Sequence, residues 1–337
     1  MTDTPDATAP KRIVLVTGGA GYIGSHACKL LAQQGFTPVT FDSLSTGWAQ
    51  AVKFGPLVQA DLLDRAALDA AFAEYQPCAV MHFAALSQVG EATRDPGLYW
   101  RNNVCGSLNL IEAMVDAGCR DIVFSSTCAT YGDQDGIVLD EDSSQNPLNA
   151  YGASKLAVEG MLRDFGVSHG LNSVIFRYFN VAGADPEAEI GEWHQPETHL
   201  IPVMIEAVAG ARPALVIHGN DYPTHDGTCI RDYVHVMDLA RAHVLGLGWL
   251  FDGRGNRVFN LGTGVGFSVA EVIAQCRAGT GHRVPHSFGP RRAGDAAALV
   301  SGSRRAVEEL GWTQERSSLK LMIEDAWRWY KSGGYSG

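Results

Sequence analysis

The sequence predicts an α/β fold that opens with a doubly wound parallel sheet, and two observations carry that expectation. Short apolar, β-branched runs recur five times before residue 180, four of them followed by helix-like stretches, the pattern of successive βα units. The first run ends in a glycine-rich turn, VTGGAGYIGSH (16–26), at the junction where such sheets pass from strand to helix.

The elements follow in order. IVLVTGG (13–19) reads as the first strand, and Tyr22 to Gln34 as a helix stopped by Gly35. TPVTFDS (37–43) is a second strand, and LVQAD (57–61) a third, leading into the helical LLDRAALDAAFAEY (62–75). CAVMHFAA (78–85) precedes a long helix running to Ala117, and DIVFSST (121–127) precedes the segment holding Tyr151. Near Val181 the rhythm gives way to Gly, Pro and charged loops (AGADPEAEIGEWHQPETH, 182–199). The expected organisation is therefore a dinucleotide-binding unit over 12–180 and a smaller C-terminal α/β substrate unit over 181–337. The stretch YVHVMDLARAHVLGLGWLF (233–251) reads as a strand end plus an apolar helix, so 233–262 is a candidate for return to the first unit.

The length of 337 residues allows about two domains with a large core. A net charge of −11 with no long Lys/Arg run argues against nucleic acid and anionic lipid as partners, and an anionic ligand would need a local cluster of donors. Seven cysteines (28, 78, 105, 119, 128, 229, 276) without a CxxC pair read as reduced thiols, mostly small core residues, of a cytoplasmic protein. The polar opening MTDTPDATAPKR has no apolar signal region, and no run reaches the about 18 apolar residues of a membrane span. No cluster of His, Cys and carboxylates with metal-ligand spacing is expected, so no metal is assigned.

Gly18, Gly21 and Gly24 let the chain turn tightly and bring backbone N–H groups and the positive end of a helix dipole to a pyrophosphate. Asp42 ends the second strand, where a carboxylate accepts hydrogen bonds from ribose hydroxyls; SLSTG (43–47) offers no Arg or Lys for a 2′-phosphate, so NAD is favoured over NADP. Asp42 could instead simply begin a turn. Asp61 is a candidate neighbour of adenine or, equally, the cap of the next helix.

NAYGASKLAVEG (149–160) sets Tyr151 four residues before Lys155, one face of a helix. A phenol titrates near 10, and moving it toward 7 requires roughly 4 kcal/mol, within reach of Lys155 and an oxidised nicotinamide in a desolvated cleft. A solvated surface pair is the plainer alternative. FSSTCATYG (124–132) places Ser125, Ser126 and Thr127 at the sheet's carboxyl edge. There Thr127 either serves the substrate hydroxyl or bonds its own backbone.

TGGAGYIG together with YGASK resembles the extended short-chain dehydrogenase/reductase superfamily, with a Rossmann-type sheet. From about residue 13 to 330 the chain is similar to the UDP-glucose 4-epimerase family. The likeness rests on TGGAGYIGSH, HFAALSQVGE, NNVCGSLNLIEAM, SSTCATYGD, YGASK, RYFNVAGA, ETHLIP, GNDYPTHDGTCIRDYVHVMDLA, FNLGTGVGFSV and PRRAGD. It implies inversion of carbon 4 of a UDP-hexose through a transient 4-keto sugar, with permanently held NAD and Tyr151, Lys155 and Thr127 as catalytic residues. Related dehydratases carry an acidic residue within the segment that here reads TCATYG, where this chain has Cys128 and Ala129.

By matching positions the resemblance implies NAD contacts from Tyr22, Ile23, Asp42, Ser43, Thr46, Asp61, Leu62, Phe83, Ala84, Ala85, Ser87, Asn102, Tyr151, Lys155 and Phe179. Ser43 and Ser87 depart from the Asn and Lys of some members, though Ser still donates a hydrogen bond. Arg231 and Arg292 resemble a diphosphate clamp, with surface ion pairs to Asp232 or Asp295 as the alternative. Asn180, His199, Leu200, His218, Tyr233 and Asp295 match other nucleotide-sugar contacts. His199 replaces an Asn of some members, and His218 stands where an aromatic often packs on uracil. Leu299 falls where relatives vary in size beside the carbon-2 group, or is plain core; it implies a preference for UDP-glucose and UDP-galactose over N-acetylated sugars. The resemblance also implies a homodimer, pairing through the helix before Ala117 and the one holding Tyr151. Two other readings stay open: a UDP-xylose/UDP-arabinose 4-epimerase, and a non-catalytic NAD-sensing module.

Overall fold

The structure, a computed structural model, describes residues 12–134, 138–291 and 296–335. Strands β1 (Ile13–Thr17), β2 (Thr37–Asp42) and β3 (Leu57–Gln59) form one side of a parallel sheet, with α1 (Tyr22–Gln33) after β1 and α2 (Arg65–Tyr75) after β3. The other side continues with β4 (Ala79–His82) and, after α3 (Val89–Arg94), α4 (Pro96–Tyr99) and α5 (Gly106–Asp116), with β5 (Asp121–Ser125). A short β6 (Val138–Leu139) and α6 (Ala150–His169) then lead to β7 (Asn172–Tyr178).

The expected long helix before Ala117 is broken. Pro96, which has no N–H to give a preceding turn, opens a new helix capped by the Asp95 carboxylate, which accepts from Leu98 N at 3.0 Å. A π-helical segment, Trp100–Cys105, then joins α4 to α5.

The second half introduces β8 (Asn180–Ala182), α7 (Leu200–Val208), β9 (Leu215–His218), β10 (Ile230–His235), α8 (Val236–Phe251) and β11 (Arg257–Leu261). It ends with β12 (Gly266–Ser268), α9 (Val269–Thr280), β13 (His286–Gly289), β14 (Ala298–Ser301), α10 (Arg304–Leu310) and α11 (Leu319–Lys331). β11 pairs in parallel with β7, from Arg257 opposite Val174 to Leu261 opposite Tyr178, and becomes the seventh strand of the first sheet. The order is β11-β7-β5-β4-β1-β2-β3, every neighbouring pair parallel.

Both faces of this sheet are covered, which explains its near-continuous apolar strands. Val14, Val16, Met81, Val174 and Phe176 face Leu31 of α1 and Leu239 and Leu247 of α8. Leu15, Val80, Ile122 and Phe124 pack with Leu68 of α2, Leu110 and Met114 of α5 and Leu162 of α6. The connections run opposite ways from β1 and β4, so a crevice opens between their carboxyl ends, where ligands of such sheets bind.

The second sheet is centred on β10, parallel to β8 and β14 and antiparallel to β12, with β6 beside β14. β9 and β13 make a separate parallel pair. Met204 of α7, Val272 of α9 and Met322 and Ile323 of α11 fill its core. A buried cation ties the loop after β8 to the first sheet's helices: Lys29 of α1 donates to Asp185, Glu187 and Glu189 at 2.8, 2.7 and 2.7 Å. No helix among the described residues is long and apolar enough to cross a membrane. Of the seven cysteines, none in a disulfide, Cys28, Cys119, Cys128 and Cys276 are buried as expected, whereas Cys78 and Cys105 are exposed.

Candidate active site

The turn after β1 is shaped by missing side chains. Gly18 has φ +73°, and a Cβ there would lie 2.6 Å from Ala84 N and 2.9 Å from the Phe83 carbonyl carbon. A Cβ on Gly24 would fall 2.1 Å from Gly18 O, so α1 can start this close to the loop only with glycine in its first turn. Gly21 N donates to Gly18 O at 3.1 Å and closes the turn. α1 has no side-chain N-cap and no acidic residue in its first turn, so the amides of Tyr22, Ile23 and Gly24 keep the donors and positive potential that suit a pyrophosphate.

Asp42 ends β2 beside this loop. Its carboxylate accepts from Ala20 N at 3.0 Å and from Leu44 N at 2.8 Å, and burial raises its pKa against those two hydrogen bonds. Each carboxylate oxygen keeps a further lone pair. The turn-shaping role open to Asp42 is realised, and its remaining lone pairs leave it able to accept at the crevice. Ser43 is engaged with Ser45, and Thr46 is exposed. Asp61 accepts from Leu63 N at 2.9 Å, while the cap of α2 is Asp64, so the helix-cap alternative for Asp61 does not hold. Leu62 is buried, with its carbonyl held by Asn109 at 3.0 Å.

Phe83 and Ala84 donate their amides to Thr17 O at 2.9 and 3.1 Å, which lays 83–85 across Gly18. Ser87 is exposed. The Asn102 side chain donates to Asn103, and Asn103 does the bridging: it bonds both backbone groups of Leu86, at 2.9 and 3.0 Å, and donates to Ser154 of α6 at 3.0 Å. This residue connects the loop after β4 with the helix of Tyr151.

α6 starts at Asn149, whose side chain caps Gly152 N at 3.0 Å, so Tyr151 and Lys155 occupy its first two turns. Lys155 is buried and donates to Ser125 O at 2.8 Å, which rules out the solvated surface pair. Burial lowers its pKa to about 7 against the opposing charge of Glu159. Tyr151 is raised above 10 by burial, with a hydrogen bond from Thr127 working the other way. Thr127 accepts from Ala129 N at 3.1 Å, which leaves its one O–H to donate to the phenol. The backbone alternative for Thr127 is thus realised, and its O–H is directed at the Tyr151 phenol. Cys128 is buried and its thiol pKa is pushed up by burial, so it supplies no acid or base here.

Two supports beneath this pair escape a motif reading. Glu159, one further turn along α6, pairs with Arg177 of β7 at 3.0 and 2.6 Å and accepts from Ser126 at 2.5 Å. The repeat Tyr151, Lys155, Glu159 at four-residue steps was the available signal. His82, depressed to about 3 by burial and by Lys155, sits between Thr17 at 2.6 Å and Ser107 at 2.8 Å. Ser107 donates to Asn103 O, so His82 carries its proton on Nε2 and accepts from Thr17 at Nδ1.

The remaining positions lie around the second sheet. Phe179 links β7 to β8, and Asn180 stands opposite Tyr233, donating to Asp232 O at 3.1 Å. Tyr233 is buried among core residues. Arg231 donates to the carbonyls of Ile230 and Ala296 at 2.8 and 2.9 Å and pairs in register with Leu299, which is half-buried rather than core. Asp232 accepts from Thr263, Gly264 and Ser301. His218 ends β9 with Nδ1 3.3 Å from Pro290 O. His199 precedes Leu200 at the head of α7, and its ring turns to Glu192 and Glu197 at 3.0 and 2.9 Å. Burial disfavours the imidazolium, but the two carboxylates outweigh it and raise the His199 pKa. The expectation that no metal-type cluster occurs needs correction: Glu192, His194, Glu197 and His199 converge, because a loop rather than a helix or a CxxC turn supplies the spacing. Arg292 and Asp295 lie outside the described residues.

The arrangement places an anion-ready helix terminus, a ribose-type carboxylate acceptor and a phenol–ammonium pair along one carboxyl edge. A family model described as "NAD dependent epimerase/dehydratase family" matches residues 14–262. The chain is 46% identical over 324 residues to the UDP-glucose 4-epimerase of Rhizobium meliloti (strain 1021), covering 96% of this chain and 98% of that one. It is similar to the structure of UDP-glucose 4-epimerase from Brucella ovis in complex with NAD, with TM-score 0.92 and 48% identity, covering 94% and 98% of the two chains. It is also similar to a UDP-glucose-4-epimerase from Stenotrophomonas maltophila with bound NAD and formylated UDP-arabinopyranose, with TM-score 0.92 and 44% identity over 96% and 98%.

Proposed function

The chain belongs to the NAD dependent epimerase/dehydratase family, and from that premise we propose that it is a UDP-hexose 4-epimerase, interconverting UDP-glucose and UDP-galactose with tightly held NAD. The observation that carries the reading is the Thr127–Tyr151–Lys155 group, with Thr127 and Lys155 buried and Tyr151 half-buried, on the same carboxyl edge as the Gly18 loop and Asp42. The glycine loop and the first turn of α1 fit a pyrophosphate, and Asp42 fits an adenosine ribose. NAD, when bound, supplies reversible hydride chemistry and the second positive charge beside the phenol.

Tyr151, as phenolate, takes the proton of the sugar 4-hydroxyl, and Thr127 holds the phenolic oxygen and steers that proton. Lys155 is anchored on Ser125 O within the same helix face, so its charge acts from a fixed place. Loss of that proton from the carbon-4 oxygen, together with loss of the carbon-4 hydride to the NAD that the Gly18 loop and Asp42 would hold, would give the 4-keto sugar; once the sugar has turned over, the same hydride would return to the opposite face of carbon 4 while Tyr151 gives the proton back to the oxygen. Arg231 serves the diphosphate, with Asn180, Tyr233, His218, His199 and Leu200 along the nucleotide sugar and Leu299 beside carbon 2. Arg292 and Asp295 belong to the same proposed set. Cys128 in place of an acid supports epimerisation over dehydration.

Purified protein without added cofactor should convert UDP-galactose to UDP-glucose. No conversion, even after NAD is supplied, would end the proposal. A pentose reading has its own support, since the Stenotrophomonas relative holds a UDP-arabinose derivative. A substrate panel separates the two: hexoses should outrun UDP-xylose and UDP-arabinose, and Leu299 should disfavour N-acetylated sugars. The chain is further proposed to be a cytoplasmic homodimer pairing through α3–α5 and α6. Val89 and Trp100, 47% and 42% exposed, and the absence of disulfides support that reading.

A further inference from the structure

Within the loop EWHQPETH, Glu192, His194, Glu197 and His199 each turn one donor atom toward a common centre, all within 4.8 Å of one another. His199 Nδ1 lies 3.0 Å from Glu192 and 2.9 Å from Glu197; His194 Nδ1 lies 3.3 and 3.5 Å from the same two carboxylates. Donors placed tetrahedrally about zinc, at roughly 2.0–2.2 Å from the ion, stand about 3.3–3.6 Å apart. His194 Nδ1 is buried within 3.5 Å of both carboxylates yet in hydrogen-bond geometry with neither, as a ligand sharing a central ion with them would be.

The carboxylates are held ready. Glu197 Oε1 accepts from Thr198 N and His199 N at 2.7 and 2.8 Å, and the Glu192 carbonyl accepts from Trp329 at 3.0 Å. Such outer contacts orient ligands. Two buried carboxylates and a doubly charged cation also neutralise each other, with both imidazoles neutral. The other convergent group among the described residues, Asp185, Glu187 and Glu189, already surrounds the Lys29 ammonium and leaves no place for an ion.

We propose that Glu192, His194, Glu197 and His199 bind a divalent transition-metal cation, zinc by the mixed imidazole–carboxylate donor set. With four protein ligands the ion is structural. It fastens the loop between the Tyr22 hydroxyl, bonded to Gly183 O at 2.6 Å, and the head of α7.

The test uses the tag-free full chain, equilibrated with zinc and then desalted. Metal analysis should find about one ion per chain, falling to about a tenth or less in His194→Ala and Glu192→Gln. Cobalt loaded into the unaltered chain should give the intense visible bands of a four-coordinate site. A desalted chain that retains no stoichiometric zinc, or variants that retain as much as the parent, would overturn the site. If either variant fails to fold, the cobalt spectrum of the parent decides alone: weak six-coordinate bands, or none, count against it.

Discussion

Burial works against ionisation of the Tyr151 phenol. Burial raises the phenol and draws Lys155 down to about 7, so the two groups alone do not yield a phenolate at neutral pH. The extra positive charge of bound NAD is what the proposed chemistry requires, which makes cofactor and base interdependent. Tyr151→Phe keeps the ring and removes the proton acceptor; kcat should fall by about 10²–10⁴-fold with NAD content unchanged, measured by coupled assay and by the absorbance of released dinucleotide. Turnover equal to the parent would remove Tyr151 from the mechanism. At this scale the sequence was informative where a fixed spacing on one helix face sufficed, as for Tyr151 and Lys155. It could not decide Thr127, because the division of its hydroxyl between Ala129 N and the phenol depends on a strand end and a helix meeting in space.

Helix α6 acts as a rail. Asn149 caps its start, Ser154 is held by Asn103, and Glu159 binds the buried Arg177, so the Tyr151–Lys155 face is fixed at three heights. Glu159→Gln strands a buried guanidinium and should cost about 3–5 kcal/mol in urea unfolding. The double variant with Arg177→Met should be less destabilised than that single change; a loss equal to the sum of the two single losses would show that the pair is not coupled. The strands and α1 were legible from their β-branched runs and the glycine loop. The break before α5 was not fully read, although Pro96 lay in plain view, because the apolar periodicity carries through the π-helical segment.

The whole molecule is laced together by elements that cross between its halves: β11 closes the first sheet, and Lys29 grips the loop after β8. The apolar character of 233–251 hinted at the first crossing. The loop cluster of Glu192, His194, Glu197 and His199 was overlooked because its spacing matches no regular element. The interior also predicts an acid response. Burial lowers His26 and His243 from 6.5 to about 4 and His82 to about 3. The unfolded chain therefore takes up protons that the native state refuses, and stability falls as pH drops from about 6.5 toward those values, about 1.36 kcal/mol per unit for each group. Asp42 and Asp232, raised by burial, act with the opposite sign, so a difference is the cleaner measurement. His243 lies 4.7 and 4.8 Å from the rings of Phe83 and Phe176, with Nε2 unpartnered. His243→Phe should gain about 2 kcal/mol over the parent at pH 5 relative to pH 7, read by urea unfolding at both values; parallel pH curves would contradict the buried neutral imidazole. The central claim, that hydrogen leaves carbon 4 and returns to the same carbon without meeting solvent while Tyr151 moves the proton, is tested most directly with UDP-galactose deuterated at carbon 4. Mass spectrometry of the UDP-glucose formed in ordinary water should find the deuterium retained in full. Its replacement by solvent hydrogen would contradict the account.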